Sequence, residues 1–417
     1  MIGFLPYILI FANFACFCIA ELFPGLITYK QLALVLAFVS VIIIISGARE
    51  LLKLKHGLFL LILSLFIICF DFYITGELIY QNPIYGGETY HGEFLAVLGQ
   101  STPLLLIGVI YAQKERLLTK TKKAAPWVAI VFTIVSFVSA LHPSDTTSGG
   151  FALDENGMNY QNISYMAAFA SAFTLFYLIS KKEMSFGKVF DAKLVSVLMV
   201  ITVFLNFFTI LIAGGRGALV LIVIQLFTFM VLKVVSSSNR ERMILRLFPI
   251  VVITLLVGVF IVNYVEKIQI ESSGFGRIMD FLNEKDDSGR RDIRRVAFKS
   301  IKESPIIGHG IGSSMFVIGE GTNGQHIHCH NLFLDALVET GIFGTVFLLI
   351  ILIQTFRTVF ILIKKDLTNY LWLIILLNGF VVSMFSGYYL AHLPIAWSIG
   401  FAISNFKMCV VQNDNPE

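Results

Sequence analysis

The sequence predicts an all-α polytopic membrane protein with about twelve transmembrane helices, and three observations carry that expectation. Of its 417 residues, 57% are hydrophobic and only 14% charged, where a soluble globular protein carries about 25% charged. The hydrophobic share is about 238 residues, close to the roughly 240 that twelve spans of ~20 residues would consume. Basic residues, finally, gather on alternate connections between apolar runs, as the positive-inside rule demands. Together these exclude a soluble enzyme, a secreted disulfide scaffold, a disordered regulator and a nucleic-acid binder. A channel, a transporter, a receptor and a membrane-embedded enzyme remain.

Taken in order, the apolar runs of spanning length are 2–22, 31–47, 57–75, 93–112, 125–141, 163–180, 194–213, 217–234, 247–264, 342–356, 369–388 and 391–408. No basic segment follows Met1, so the first run is expected to be an uncleaved span. With the N-terminus in the cytoplasm, twenty of the 31 basic residues fall on cytoplasmic connections, from Arg49 and Lys53 to Lys365 and Lys407. Nine of the other eleven lie in one segment, 265–331, which leaves only Lys30 and Arg216 on short outer connections. Both termini are therefore expected inside. The net charge of +4 then reflects anchoring to an anionic inner leaflet, with no nucleic-acid partner. Three regions follow: spans one to nine in 1–264, a large and partly helical outer loop in 265–341, and spans ten to twelve with a cytoplasmic tail in 342–417. Cys16, Cys18, Cys69 and Cys409 fall in or beside spans and Cys329 stands alone in the loop, so no structural disulfide is expected there.

The outer loop holds the candidate chemistry. Its nine basic residues are matched by nine acidic ones, with Gly and Pro punctuating helical stretches, so it reads as a folded cap and not a tether. A helix opens near Arg290, with Asp287 or Ser288 as N-cap. At about 100° per residue, Ile293, Val296, Ala297 and Ile301 form one apolar face, and Arg290 and Arg294 fall on or beside it. An arginine turned into protein at a helix N-terminus needs an anion, either a phosphate or a nearby carboxylate. Arg216 sits in the tight turn Gly214-Gly215-Arg216-Gly217 between two apolar runs. A charge at the edge of hydrocarbon is expensive, and it marks either function or a snorkelling side chain.

Further on, Gly324-Gln325-His326-Ile327-His328-Cys329-His330-Asn331 leads into Leu332–Gly341. Asn331 is a plausible N-cap and Gly341 a C′ glycine, which gives a helix of about nine residues, too short to span. His330 at the head of that helix is expected to be neutral, as a general base must be. The alternating histidines also admit a zinc site, but no helical His pair or Cys pair stands at ligand spacing, and no metal is expected. Asp335 and Glu339, one turn apart, either orient His330 or form a polar stripe facing an aqueous cavity. Asn159, Tyr160 and Gln161 at the mouth of span six suit sugar hydroxyls, and interfacial capping explains them about as well. Asp71, His91 and Glu93 are weaker polar signals in or beside spans three and four.

These residues resemble a known family. His330-Asn331, followed after nine residues by Gly341-Ile342-Phe343-Gly344, resembles the His-Asn…Gly-x-x-Gly pattern of the O-antigen ligase/polymerase superfamily of bacterial envelope glycosyltransferases. Gly215-Arg216-Gly217-Ala218 is similar to a second landmark, and Ser288-Gly289-Arg290 with Ser304-Pro305-Ile306-Ile307-Gly308-His309-Gly310-Ile311-Gly312 to a third. The resemblance implies a metal-independent transferase without cofactor, using an undecaprenyl-diphosphate-linked glycan donor on the periplasmic face of the bacterial inner membrane. Arg216 and Arg290 would match the arginines that hold the donor diphosphate, and His330 the essential histidine. Arg294, Asn331 and Asp335 are candidate supporting residues, and Asn159, Tyr160 and Gln161 candidate sugar contacts. Two guanidinium groups suit a diphosphate leaving group, because charge develops on it as the glycosidic bond breaks. The acceptor is either a second lipid-linked repeat unit, for a polymerase, or lipid A-core, for a ligase, and a chain-length regulator is a further candidate partner. Val346 after Thr345, and the Asn159-Tyr160-Gln161 stretch, favour polymerase. The rival from another class, a lipid-linked oligosaccharide transporter, would show related halves and ionisable residues within its spans. Here the halves do not resemble each other, and the polar residues gather at one outer loop.

Overall fold

The computed structural model describes residues 3–12, 14–15, 18–19, 29–52, 101–141, 160–236, 290–322, 328–387 and 392–410. Among these residues the chain forms helices and no strands. In order they are α1 (Leu5–Ile10), α2 (Tyr29–Ser46), α3 (Ala48–Leu52), α4 (Thr102–Ala112), α5 (Glu115–Leu141), α6 (Tyr160–Ser180) and α7 (Lys188–Asp191). There follow α8 (Lys193–Ala213), α9 (Arg216–Val235), α10 (Arg290–Glu303), α11 (Ser314–Gly321), α12 (Leu332–Lys365), α13 (Tyr370–Phe385) and α14 (Leu393–Val410).

Six of the described helical stretches are long and apolar enough to cross a membrane: α5, α6, α8, α9, α12 and the stretch Leu367–Phe385 that contains α13. The chain is therefore an α-helical polytopic membrane protein, all-helical among its described residues. The expected twelve spans are met only in part. Runs 57–75 and 247–264 lie outside the described residues, and so does the first part of 93–112. Two boundaries differ from expectation. The apolar pattern starts the fifth span at 125, whereas α5 begins at Glu115 and takes in Lys120, Lys122 and Lys123. It ends the tenth at 356, whereas α12 runs on through Arg357 to Lys365. Lys, Arg, Leu and Glu are good helix formers, so a helix need not stop where its apolar run stops.

Two compact units divide the chain. The first holds Met1–Cys16, Phe23–Thr121 and Ser288–Glu417. Its core includes an aromatic stack between α13 and α14, with Trp397 and Phe401 rings stacked at 5.1 Å and Trp372 at 5.2 Å from Trp397. Leu332 and Ala336 from α12 join Leu352 and Ile395 in a second apolar cluster. The second unit holds Phe17–Leu22 and Lys122–Asp287. Its centre is α6, whose residues are almost all buried because Ala167, Ala168, Ala170, Ser171 and Ala172 let neighbours approach closely. Phe176 and Tyr177 pack edge-on against Phe186, and Asn206 donates to Thr133 Oγ1 at 3.0 Å in the interior.

Candidate functional site

In the first unit the site is built around the head of α12. Asn331 is its N-cap, and its Oδ1 accepts from the N–H groups of Phe333 and Leu334, each at 3.1 Å. That satisfies two donors the first helical turn would otherwise leave unpaired. His330, just before the cap, has φ 50 and is the one non-glycine residue with positive φ among those described. The cap and this reversal turn the chain sharply into the helix. The His328 and His330 rings then lie 4.2 Å apart, inclined at 59°. His328 is buried, and His330 is half-buried.

Asp335 ties this entry segment to the helix. Its Oδ1 accepts the Cys329 backbone N–H at 2.8 Å, and the carboxyl is fully buried. Burial pushes the acid up to about 7, outweighing the N–H groups of Cys329 and Asn331 that pull it down. The neighbouring Cys329 thiol is also pushed up, by burial first and by the Asp335 charge second. Glu339, one turn further on, is fully buried too and accepts from Ser314 Oγ at 2.6 Å. The expected polar stripe facing an aqueous cavity is thus overturned. Both acids face protein, because Val338 on the same short helix packs with Ile293 and Ala297 of α10, Ile318 of α11 and Cys329.

Gly341 ends the short helix, as expected, with a positive φ. Its φ 60 and ψ −163 interrupt α12 as a kink, and the helix resumes at once. That backbone region is essentially open to glycine alone. The short helix before the kink lies ahead of the spanning stretch 342–365.

Arg290 is the first residue of α10 and half-buried; its Nη2 donates to the Phe385 carbonyl at the end of α13, at 3.2 Å. A cation on the last carbonyls of a helix is favourable, so this contact positions the guanidinium as well as capping α13. Arg294 departs from expectation: it is exposed, and its Nε donates back to the Arg290 carbonyl at 3.2 Å. The apolar face of α10 is the expected one: Ile293 and Ala297 are buried, Val296 and Ile301 pack against the same cluster, and Phe298 is exposed. Asp287, Ser288 and His326 lie outside the described residues, as do Asn159, Asp71, His91 and Glu93. Among the described residues no three His, Cys, Asp or Glu side chains are grouped to hold a metal ion.

In the second unit Arg216 begins α9, directly after the turn that closes α8 at Gly214. The Gly215 N–H donates to Ser164 Oγ at 3.0 Å, and a Cβ at 215 would fall 2.3 Å from Ser164 Cβ. The glycine therefore lets the turn rest on α6. Ser164 in turn donates to the Tyr160 carbonyl, and Gln161 Nε2 donates to the Tyr160 hydroxyl at 3.1 Å. Tyr160 and Gln161 are thus brought to the same end of the unit as Arg216. Ser164, Ser314 and the Phe385 carbonyl are partners that sequence reasoning did not find.

No curated protein matches the chain. Residues 201–349, which carry Arg216, Arg290, His330 and Asp335, match the family model described as O-antigen ligase, so this part of the chain is similar to that family, in line with the resemblance read from the sequence.

Proposed function

We propose that the protein is a membrane-embedded glycosyltransferase that polymerises undecaprenyl-diphosphate-linked oligosaccharide repeat units, of O-antigen or a related surface polysaccharide, on the periplasmic face of the bacterial inner membrane. The family match and the apolar helices support the general function, O-antigen ligase/polymerase-type chemistry in a membrane protein. The observation that supports His330 as the base, for either acceptor, is the Cys329–Asp335 hydrogen bond, which holds the backbone leading to His330; the preference for polymerase rests on Val346 and the Asn159-Tyr160-Gln161 stretch. A general base must be held in place to act.

In the proposed reaction an acceptor hydroxyl attacks the anomeric carbon of the donor sugar. His330 takes the hydroxyl proton, and the bond from that carbon to the diphosphate breaks, with the electron pair leaving on undecaprenyl diphosphate. Arg216 and Arg290 are assigned to the diphosphate, where guanidinium groups can meet the developing charge. Asn159, Tyr160 and Gln161 are assigned to sugar hydroxyls. Asn331 and Asp335 hold the helix head, and Arg294 supports Arg290 through its carbonyl. The donor arrives activated, so no nucleotide-binding loop is required, and the resemblance implies a reaction without metal or cofactor, with a chain-length regulator as a candidate partner.

Ligation of the finished glycan to lipid A-core is the second reading, favoured by the description of the matching family model. Deleting the gene and resolving the lipopolysaccharide by gel separates the two. Core bearing a single repeat unit identifies a lost polymerase, whereas bare core with lipid-linked polymer accumulating identifies a lost ligase. Unchanged glycan transfer by His330→Ala would refute both.

A further inference from the structure

The connection between α10 and α11 carries two adjacent isoleucines that the fold leaves open. Ile306 is 68% exposed and Ile307 74%. In an aqueous loop such a pair would form a costly apolar patch. Here it is held rigidly against the start of the spanning stretch 342–365. The Ile342 N–H donates to the Pro305 carbonyl at 2.9 Å and the Phe343 N–H to the Ile306 carbonyl at 3.2 Å.

Those two donors belong to the residues just past the Gly341 kink, where a restarting helix has orphan N–H groups. Water can satisfy such groups, but hydrocarbon cannot. The turn also pairs part of its own backbone. The Gly308 N–H donates to the Ser304 carbonyl at 3.1 Å, Ser304 Oγ donates to the Gly308 carbonyl at 2.7 Å, and Pro305 has no N–H to satisfy. Close contact at both glycines locks the pairing: a Cβ on Gly341 would fall 2.4 Å from the Ile306 carbonyl, and one on Gly308 would fall 2.4 Å from the Glu339 carbonyl.

Past the kink, Ile342 and Phe343 are 55% and 78% exposed, and Val346, Phe347, Ile350, Ile353 and Phe360 continue that exposed apolar face at helical spacing. On a spanning helix this is the lipid-facing stripe. Ile306 and Ile307 extend it beyond the helix end, on a different segment of chain.

We propose that the Ile306 and Ile307 side chains of the Ser304–Gly308 turn enter bilayer hydrocarbon beside the first turn of the 342–365 span, with the turn's backbone at the membrane interface, as a lipid anchor for the α10–α11 domain. The occupant of the exposed face is the acyl chain region of the surrounding membrane. The proposal rests on the membrane reading of 342–365 and not on the glycosyl-transfer reading, so the two fail separately.

The test is spin-label accessibility in proteoliposomes of the full chain, with labels on Ile307→Cys and, separately, Ile306→Cys. Phe343→Cys serves as the lipid reference and the exposed Arg295→Cys as the aqueous one, and the parent protein labelled in parallel corrects for its own five cysteines. The expected result is frequent collision with oxygen and rare collision with a water-soluble nickel chelate, in the ratio found at Phe343. Nickel accessibility like that at Arg295 would place the turn in water and overturn the proposal. Low accessibility to both reagents would place it in a protein–protein contact and overturn it equally.

Discussion

The Cys329 backbone N–H and the Asp335 carboxyl meet at 2.8 Å in a fully buried position, so the segment that presents His330 is anchored by the first turn of the helix it enters. Removing the acceptor should therefore act on chemistry more than on folding. Asp335→Ala is expected to lower kcat by about 10²-fold, the cost of a small misplacement of a reacting group, with KM little changed. Asp335→Asn keeps an oxygen for Cys329 and should retain most of the turnover. Steady-state transfer kinetics on a lipid-linked donor separate the two variants.

The same carboxyl carries a pH signature. Its acid is raised from the ordinary 3.8 to about 7, so the folded state holds a proton that the unfolded chain has lost. Stability from this group is fully present below about pH 4 and disappears as pH rises through about 7. Thermal melts between pH 5 and 8 should therefore show a loss of stability with rising pH that Asp335→Asn flattens. Parallel curves for the two proteins would contradict the buried, proton-holding carboxyl.

His330 pairs a proposed chemical role with an unusual backbone. At φ 50 a side chain costs roughly 1–2 kcal/mol relative to glycine. His330→Gly should accordingly melt higher than His330→Ala, while both variants lose glycan transfer. Equal melting temperatures would show that the reversal at 330 relaxes once the imidazole is removed.

Gly341 should tolerate no Cβ. With φ 60 and ψ −163, and with the Ile306 carbonyl only 2.4 Å from where a methyl group would sit, Gly341→Ala is expected to cost about 1–3 kcal/mol. A fall in melting temperature and in the yield of folded protein in detergent would register it.

Arginine-to-lysine substitutions test the diphosphate assignment. Arg216→Lys and Arg290→Lys keep the charge but lose the planar fork that matches phosphate oxygens. Each is expected to reduce transfer by roughly 10²-fold or more while the protein remains folded. Activity of the parent protein should persist in excess chelator; its loss there would point to a required metal.

The helical membrane architecture was legible because hydrophobic composition and the placement of basic residues are bulk properties of a bilayer protein. Helix ends were less so: α5 and α12 run past their apolar stretches through Lys120 and Arg357, since helix propensity does not stop at the hydrocarbon edge. In the candidate site, the Asn331 cap and the break at Gly341 were visible as residue types with local conformational demands. The burial of Asp335 and Glu339 was not deduced, although the helical wheel contains the signal: Leu332, Ala336 and Glu339 fall within one narrow arc, so an acid shares the packed face. Its partner Ser314 lies 25 residues away, and no local pattern announces such a pairing. The exposure of Arg294 was missed for a similar reason, because a wheel shows direction but not how wide the neighbouring helices are.

The kink at Gly341 joins the His330 helix directly to a membrane span, with no flexible linker between them. Nine residues, Leu332 to Thr340, make about 14 Å of helix, roughly twice the depth of a lipid headgroup layer. On the proposed reaction, the base can therefore only meet the sugars nearest the lipid carrier. A donor of one unit and a donor of a hundred would look the same to it. Any measure of polymer length would have to be taken elsewhere.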